Sequence, residues 1–171
     1  RFTAALLALY WVWMGVFYHL VYFTSINPAA YLFGALFVAQ AALLGAAAIR
    51  NSLPFDRTRG VRGAVGGVIL FYALLGYSLL GAGLGHSYPA APVFGVAPCP
   101  TTIYTFGIVL WIRGRSPWRV TIIPISWAAI GTLAAVNLGV PEDYGLALAA
   151  AITSAALIRR SAAGLARAAE A

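Results

Sequence analysis

The chain has no lysine, one cysteine and four acidic residues. A single cysteine excludes an intrachain disulfide and any Cys-x-x-Cys metal or redox motif. Charge is scarce: 9% of the residues carry one, where a soluble domain carries roughly 25%. There is no phosphate loop, no dinucleotide-binding glycine fingerprint and no catalytic-triad pattern. No cleavable signal peptide is recognisable, because the first apolar run is as long as a membrane span and lacks an Ala-x-Ala cleavage site.

What the chain has in excess is apolar surface. Of 171 residues, 62% are hydrophobic, and the mean hydropathy is +0.87. A globule of this size cannot bury that much apolar surface. A soluble enzyme, a nucleic-acid binder and a disordered tail are excluded on this ground. What remains is an all-α integral membrane protein that crosses the bilayer several times. The pI near 10.1 would suggest nucleic acid in a soluble protein. Here the arginines fall between apolar runs, so membrane orientation is the better explanation and no nucleic-acid partner is expected.

A helix needs about 20 apolar residues to cross the hydrocarbon core. Six runs are read as spans: 2–24, 28–49, 63–84, 100–112, 118–138 and 144–158. They form one transmembrane domain over 1–160, followed by a tail over 161–171. The fourth run is short, at roughly 20 Å of helix. The Pro-rich connection before it, Gly85–Cys99, is therefore expected to re-enter the protein from the outer side. Irregular backbone at membrane depth is tolerated only where protein or a water-filled cavity covers it.

All eleven basic residues are arginine. Arg1 precedes the first run. Arg50, Arg57, Arg59 and Arg62 lie between the second and third, and Arg113, Arg115 and Arg119 between the fourth and fifth. Arg159, Arg160 and Arg167 follow the sixth. With six crossings, every one of them falls on the same side. The positive-inside bias then places both termini in the cytoplasm, and a bacterial inner membrane is the expected location. The basic loop Asn51–Arg62 suits anionic lipid headgroups.

Finer expectations follow from residue type. Tyr22, Tyr31, Tyr88, Tyr104 and Tyr144 mark the outer interface, and Trp111 and Trp118 the inner one. Trp11 and Trp13 are deeper and are expected to pack between helices. Gly63 with Gly67, and Gly81 with Gly85, have the small-residue spacing of close helix contacts. Pro124 is expected to kink the fifth span. Pro28–Gly34 and Pro89–Gly95 share five of seven residues, a pattern that duplication or an Ala-rich composition explains equally well.

The candidate site residues gather on the outer half. His19 is a titratable group inside a span, and such groups are functional candidates. It is a candidate haem or pigment ligand, or a hydrogen-bonding partner between helices. Cys99-Pro100-Thr101-Thr102 reads as a helix start, with proline in the first turn and threonine bonding free N–H groups. Cys99 is then either a reactive or metal-binding thiolate or an inert buried thiol. Glu142 and Asp143 stand at the start of the last helix, where the dipole favours carboxylates. His19, His86, Cys99, Glu142 and Asp143 are together a donor set for a transition metal, although they come from separate segments and carry no HxxxH or CxxC nucleus.

Several stretches resemble a family of uncharacterised bacterial multi-pass membrane proteins, classed only as a domain of unknown function. They are Trp13–His19, Asn27–Gly34, Tyr88–Pro92, Pro98–Thr102 and Gly139–Asp143. The resemblance covers nearly the whole chain, and the Cys-Pro-Thr-Thr and Pro-Glu-Asp stretches are its most specific parts. It implies a membrane fold, a bacterial origin and a further apolar segment before Arg1; it implies no activity. A longer N-terminus also fits a chain that begins at Arg rather than Met.

Three functions are weighed. The first is a non-catalytic accessory or scaffold subunit of a larger membrane complex, an energy-converting one among the candidates. It would be surrounded by membrane lipids and other subunits, with lipid or pigment as bound groups. The second is a transporter or sensor for a metal ion or small solute, using the outer His, Cys and carboxylate residues. The third is a membrane thiol enzyme with Cys99 as nucleophile and His86 or His19 as base.

Overall fold

The computed structural model describes residues 1–56, 60–86, 92–114 and 116–169. Arg57, Arg59, Tyr88, Arg115 and the start of the second Pro-Ala-Ala echo lie outside the described residues. Those described are helical, apart from the connections and one isolated bridge between Phe55 and Ile112. α1 (Phe2–Trp13) runs into a π-helical segment (Met14–Tyr22) and a short 3-10 turn (Phe23–Ser25). α2 is Ala30–Ile49. α3 (Val61–Phe71), a second π segment (Tyr72–Gly76) and α4 (Tyr77–Gly83) form one continuous run. α5 is Pro98–Leu110. A 3-10 turn (Trp118–Val120) leads into α6 (Ile122–Leu138), and another (Pro141–Asp143) into α7 (Tyr144–Ala169).

Five continuous helical runs are long and apolar enough to cross a membrane: Phe2–Ser25, Ala30–Ile49, Val61–Gly83, Trp118–Leu138 and Pro141–Ala169. They correspond to five of the six spans expected from the sequence. The last is longer than expected, because the helix continues past Ile158 and absorbs most of the expected tail. The remaining run, α5, has 13 residues and begins at Pro98, two residues before the expected start.

α5 is short because it does not face the surroundings of the bundle. It packs against α3, α6 and α7, and eleven of its thirteen residues are buried. Its neighbours meet the exterior in its place. Threonine makes this burial possible. Thr101, Thr102 and Thr105 donate their hydroxyls to the carbonyls of Ala97, Pro98 and Thr101, each at 2.9 Å. They therefore do not cap the helix N–H groups as the sequence led us to expect. Thr105 also accepts the Trp11 indole N–H at 3.0 Å, which ties α5 to α1.

Of the glycines the spacing marked, Gly81 is closely approached, since a Cβ there would stand 3.1 Å from Glu142 Oε1, and the Gly63 carbonyl accepts the Trp111 indole N–H; the tightest crossing of α3 and α5 uses others. A Cβ on Gly66 would stand 3.1 Å from the Gly107 carbonyl, and one on Gly107 would stand 3.1 Å from the Gly66 carbonyl. α3 and α5 cross there, backbone against backbone. Gly67 has only Trp111 Cζ2 near it, at 4.0 Å, and Gly85 has open space. Pro124 does not kink a helix interior. It occupies the first turn of α6, directly after the 3-10 turn, so its missing N–H falls opposite the Val120 carbonyl of that turn and not in the helix interior. Trp11 is fully buried, as expected, but Trp13 is 47% exposed.

The described arginines that make defined side-chain contacts lie at one end of the bundle. The Arg1 guanidinium caps α2 by donating to Ala48 and Ile49 carbonyls. The connection after α2 pairs with that after α5: the Asp56 N–H bonds the Trp111 carbonyl and the Arg113 N–H the Pro54 carbonyl. Arg113 and Asp56 form an ion pair at 2.5 Å, and Arg160 of α7 donates to Ile112 and Gly114. Glu142, Asp143 and His86 lie where the helices end in the other direction.

Candidate functional site

The 3-10 turn Pro141–Asp143 delivers two carboxylates to the start of α7. Each meets a different partner. His86 Nδ1 lies 2.7 Å from Glu142 Oε1, with the histidine side chain 39% exposed and the glutamate 0%. Tyr77 donates its hydroxyl to Asp143 Oδ1 at 2.5 Å. Tyr72 donates to the Glu142 carbonyl at 2.7 Å. Cys99 lies near Asp143 and Trp127, and the Trp127 indole N–H makes no hydrogen bond. The Cys99 sulfur lies 3.6 Å, and Trp127 Nε1 3.7 Å, from where a Cβ on Gly131 would be.

The structure thus brings His86 to Glu142 and Cys99 to Asp143, as two adjacent pairs at the start of one helix. His19 stands apart from both. Its ring packs edge-on to Trp127 at 5.1 Å and to Phe37 at 4.6 Å, with Phe33 and Phe23 beyond. The residue is completely buried, and neither ring nitrogen has a hydrogen-bond partner. The bond between helices expected of His19 is therefore absent, and the aromatic box leaves no open face for a haem or pigment ring. Among the described residues no group of three or more His, Cys, Asp or Glu has the arrangement of a metal site.

Tyr72, Tyr77 and Trp127 are the residues that sequence reasoning missed. Five residues apart, Tyr72 and Tyr77 diverge by roughly 140° on an α-helix. A π turn, with its i to i+5 pairing, brings such residues to one side. The second π segment does this, and the two rings stand 6.3 Å apart. The first π segment holds Tyr18 and His19. Gly145 is needed as well, because a Cβ there would collide with the Tyr72 ring.

Two atoms in the cluster are left over, Trp127 Nε1 and Glu142 Oε2. Glu142 Oε2 is buried and has no hydrogen-bond partner. A buried carboxylate oxygen without a partner is costly. An apolar groove of about 620 Å³ opens between α3 and α7 next to it, with Tyr72, Pro141 and Gly145 at that end.

No curated protein and no solved structure matches the chain. The family does not depend on either, since the model of a family of unknown function, DUF6064, matches residues 1–167, and the chain belongs to that family.

Proposed function

We infer that the protein is an integral membrane protein that binds a cation at the Glu142 cluster, entering from the outer face, for transport or sensing. The basic end is read as cytoplasmic and the membrane as a bacterial inner membrane, because arginine is retained on that side. The observation that carries the reading is the Glu142 carboxylate, fully buried, with Oε2 unpartnered and a half-exposed His86 over Oε1. Ionisable groups in such places are functional candidates. No arginine bonds either carboxylate among the described residues. A cation is the ligand that relieves this arrangement. The donors that face each other there are the Glu142 carboxylate and the His86 imidazole; the described residues bring no third His, Cys, Asp or Glu into a metal-ligand arrangement, so solvent would complete the shell of a cation held by this pair.

The loop before α5 supports access from outside. Phe94 packs on Tyr10 at 4.9 Å and on Tyr104 at 4.6 Å. Tyr10 is about 12 Å along its run from Phe2, so the loop reads as re-entrant. Titration of the purified full chain with Zn²⁺ in detergent tests the proposal. The wild type is expected to bind, Glu142→Gln and His86→Ala to bind at least tenfold more weakly, and Cys99→Ser, which lies outside that pair, to bind as the wild type does. Identical isotherms for wild type and Glu142→Gln overturn it.

A second reading, an accessory subunit of a larger membrane complex, has its own support. Between α6 and α7 lies a groove of about 510 Å³ lined by Ala128, Ala129, Thr132, Ala147 and Ala151. Small residues let another helix approach closely. Co-purification at native expression levels tests this reading, and a monomer without partners counts against it.

A further inference from the structure

We propose a second binding site at the opposite, basic end: a pocket that holds the phosphate of an acidic phospholipid, with the acyl chains on its apolar wall. The cavity has a volume of about 770 Å³. Arg50, Arg113 and Arg119 line it, from the end of α2, the exit of α5 and the start of the fifth run. Arg113 is paired with Asp56 at 2.5 Å, while Arg50 and Arg119 make no side-chain hydrogen bond or ion pair among the described residues. The pocket therefore carries net positive charge.

Orientation in a bilayer requires only that arginines stand on one side. It does not require three of them, from three segments distant in sequence, to share one concavity. The rest of the lining explains the shape. Leu43, Ala46, Leu53 and Val120 make an apolar wall, and Trp118 stands beside Arg119. A free phosphate has no use for that wall, whereas a phospholipid places a phosphate and a chain side by side. Basic pockets between helices at the cytoplasmic interface are the setting in which acidic headgroups bind. Arginine suits phosphate because its planar fork donates two hydrogen bonds to it. This site shares no residue with the Glu142 cluster, so either proposal can fail alone.

The test uses the full chain in detergent, incubated with phosphatidylglycerol or phosphatidylcholine and read by native mass spectrometry. The wild type is expected to retain phosphatidylglycerol at least tenfold over phosphatidylcholine. The Arg50→Gln/Arg119→Gln pair is expected to lose that preference, and Arg159→Gln, which lies outside the pocket, to keep it. Arg50→Lys/Arg119→Lys should keep part of it, which separates loss of charge from loss of fold; matching circular dichroism and elution volume check the fold directly. Equal retention of the two lipids by the wild type, or an unchanged preference in the glutamine pair, overturns the proposal. Displacement of the lipid by millimolar inorganic phosphate also overturns it, in favour of a soluble phosphate as the occupant.

Discussion

Gln40 Nε2 donates a 2.8 Å hydrogen bond to the carbonyl of Val120, 80 residues away and fully buried. Pro124 accounts for it. In a regular helix the N–H of residue 124 would bond the carbonyl of residue 120, and proline has no N–H to give. The side chain from α2 supplies the donor that α6 lacks.

This relationship predicts a coupling. Gln40→Leu leaves the Val120 carbonyl without a donor and should cost about 1 kcal/mol, in the range of hydrogen bonds between helices in membranes. In a Pro124→Ala background the new N–H satisfies Val120 within its own helix, so the same substitution should cost less than half as much. Unfolding of the four proteins in a detergent series measures both. Equal cost of Gln40→Leu in the two backgrounds would show that Pro124 is not the reason for the bond.

His86 and Glu142 should be coupled for a different reason. His86→Ala removes the neighbour of a buried carboxylate, and breaking such a pair is costly because the remaining charge is uncompensated. The histidine is 39% exposed, and solvent screening reduces the effect; about 1–3 kcal/mol of destabilisation is expected. Adding Glu142→Gln to His86→Ala removes the charge and should recover most of that loss. A double variant that is less stable than His86→Ala alone would refute the coupling.

How much of this could be read from the sequence depends on what lipid does to sequence patterns. Long apolar runs show where helices run, because length alone decides the matter, and the five long runs follow from it. The brevity of α5 also showed, through the Pro-rich stretch before it. Which face of a helix is buried did not show. In lipid the protein-facing and exterior-facing sides are both apolar, so periodicity says nothing about Trp11 being buried while Trp13 is exposed. The same silence put Gly67 forward in place of its neighbour Gly66. The π segments left no compositional trace, and without them Tyr72 and Tyr77 have no reason to point together. His86, Cys99, Glu142 and Asp143 could be named by residue type, but their pairing could not, because it depends on the order in which α5 and α7 pack.

The glycines give a direct test of that packing. On Gly66 a methyl would lie 2.7 Å from Trp111 Nε1 and 3.1 Å from the Gly107 carbonyl. Trp111 is held by its hydrogen bond to the Gly63 carbonyl at 3.1 Å, so it cannot swing away freely. Gly66→Ala should therefore push α3 off α5 at a cost of about 1–3 kcal/mol, typical of overpacking. Gly67→Ala meets only one atom at 4.0 Å and should change stability by less than about 0.5 kcal/mol. Thermal melts of the two variants in the same detergent decide it. Similar melts would mean that α3 and α5 are not in close contact.

Orientation is testable with single cysteines in a Cys99→Ser background. Ser52 is exposed in the connection that carries Arg50 and pairs with the exit of α5, and Ile26 is 76% exposed at the other end of the bundle. Moving one arginine side chain through the hydrocarbon core costs about 2.5–3.5 kcal/mol even by insertion scales. The inverted arrangement would have to send Arg1, Arg50, Arg113 and Arg160 across together. Ile26→Cys should thus react with an impermeant maleimide on intact cells, and Ser52→Cys only after permeabilisation. The reverse pattern would place the arginines outside. The Glu142 cluster would then open to the cytoplasm, and the pocket around Arg50 and Arg119 would face a leaflet without its expected supply of acidic lipid.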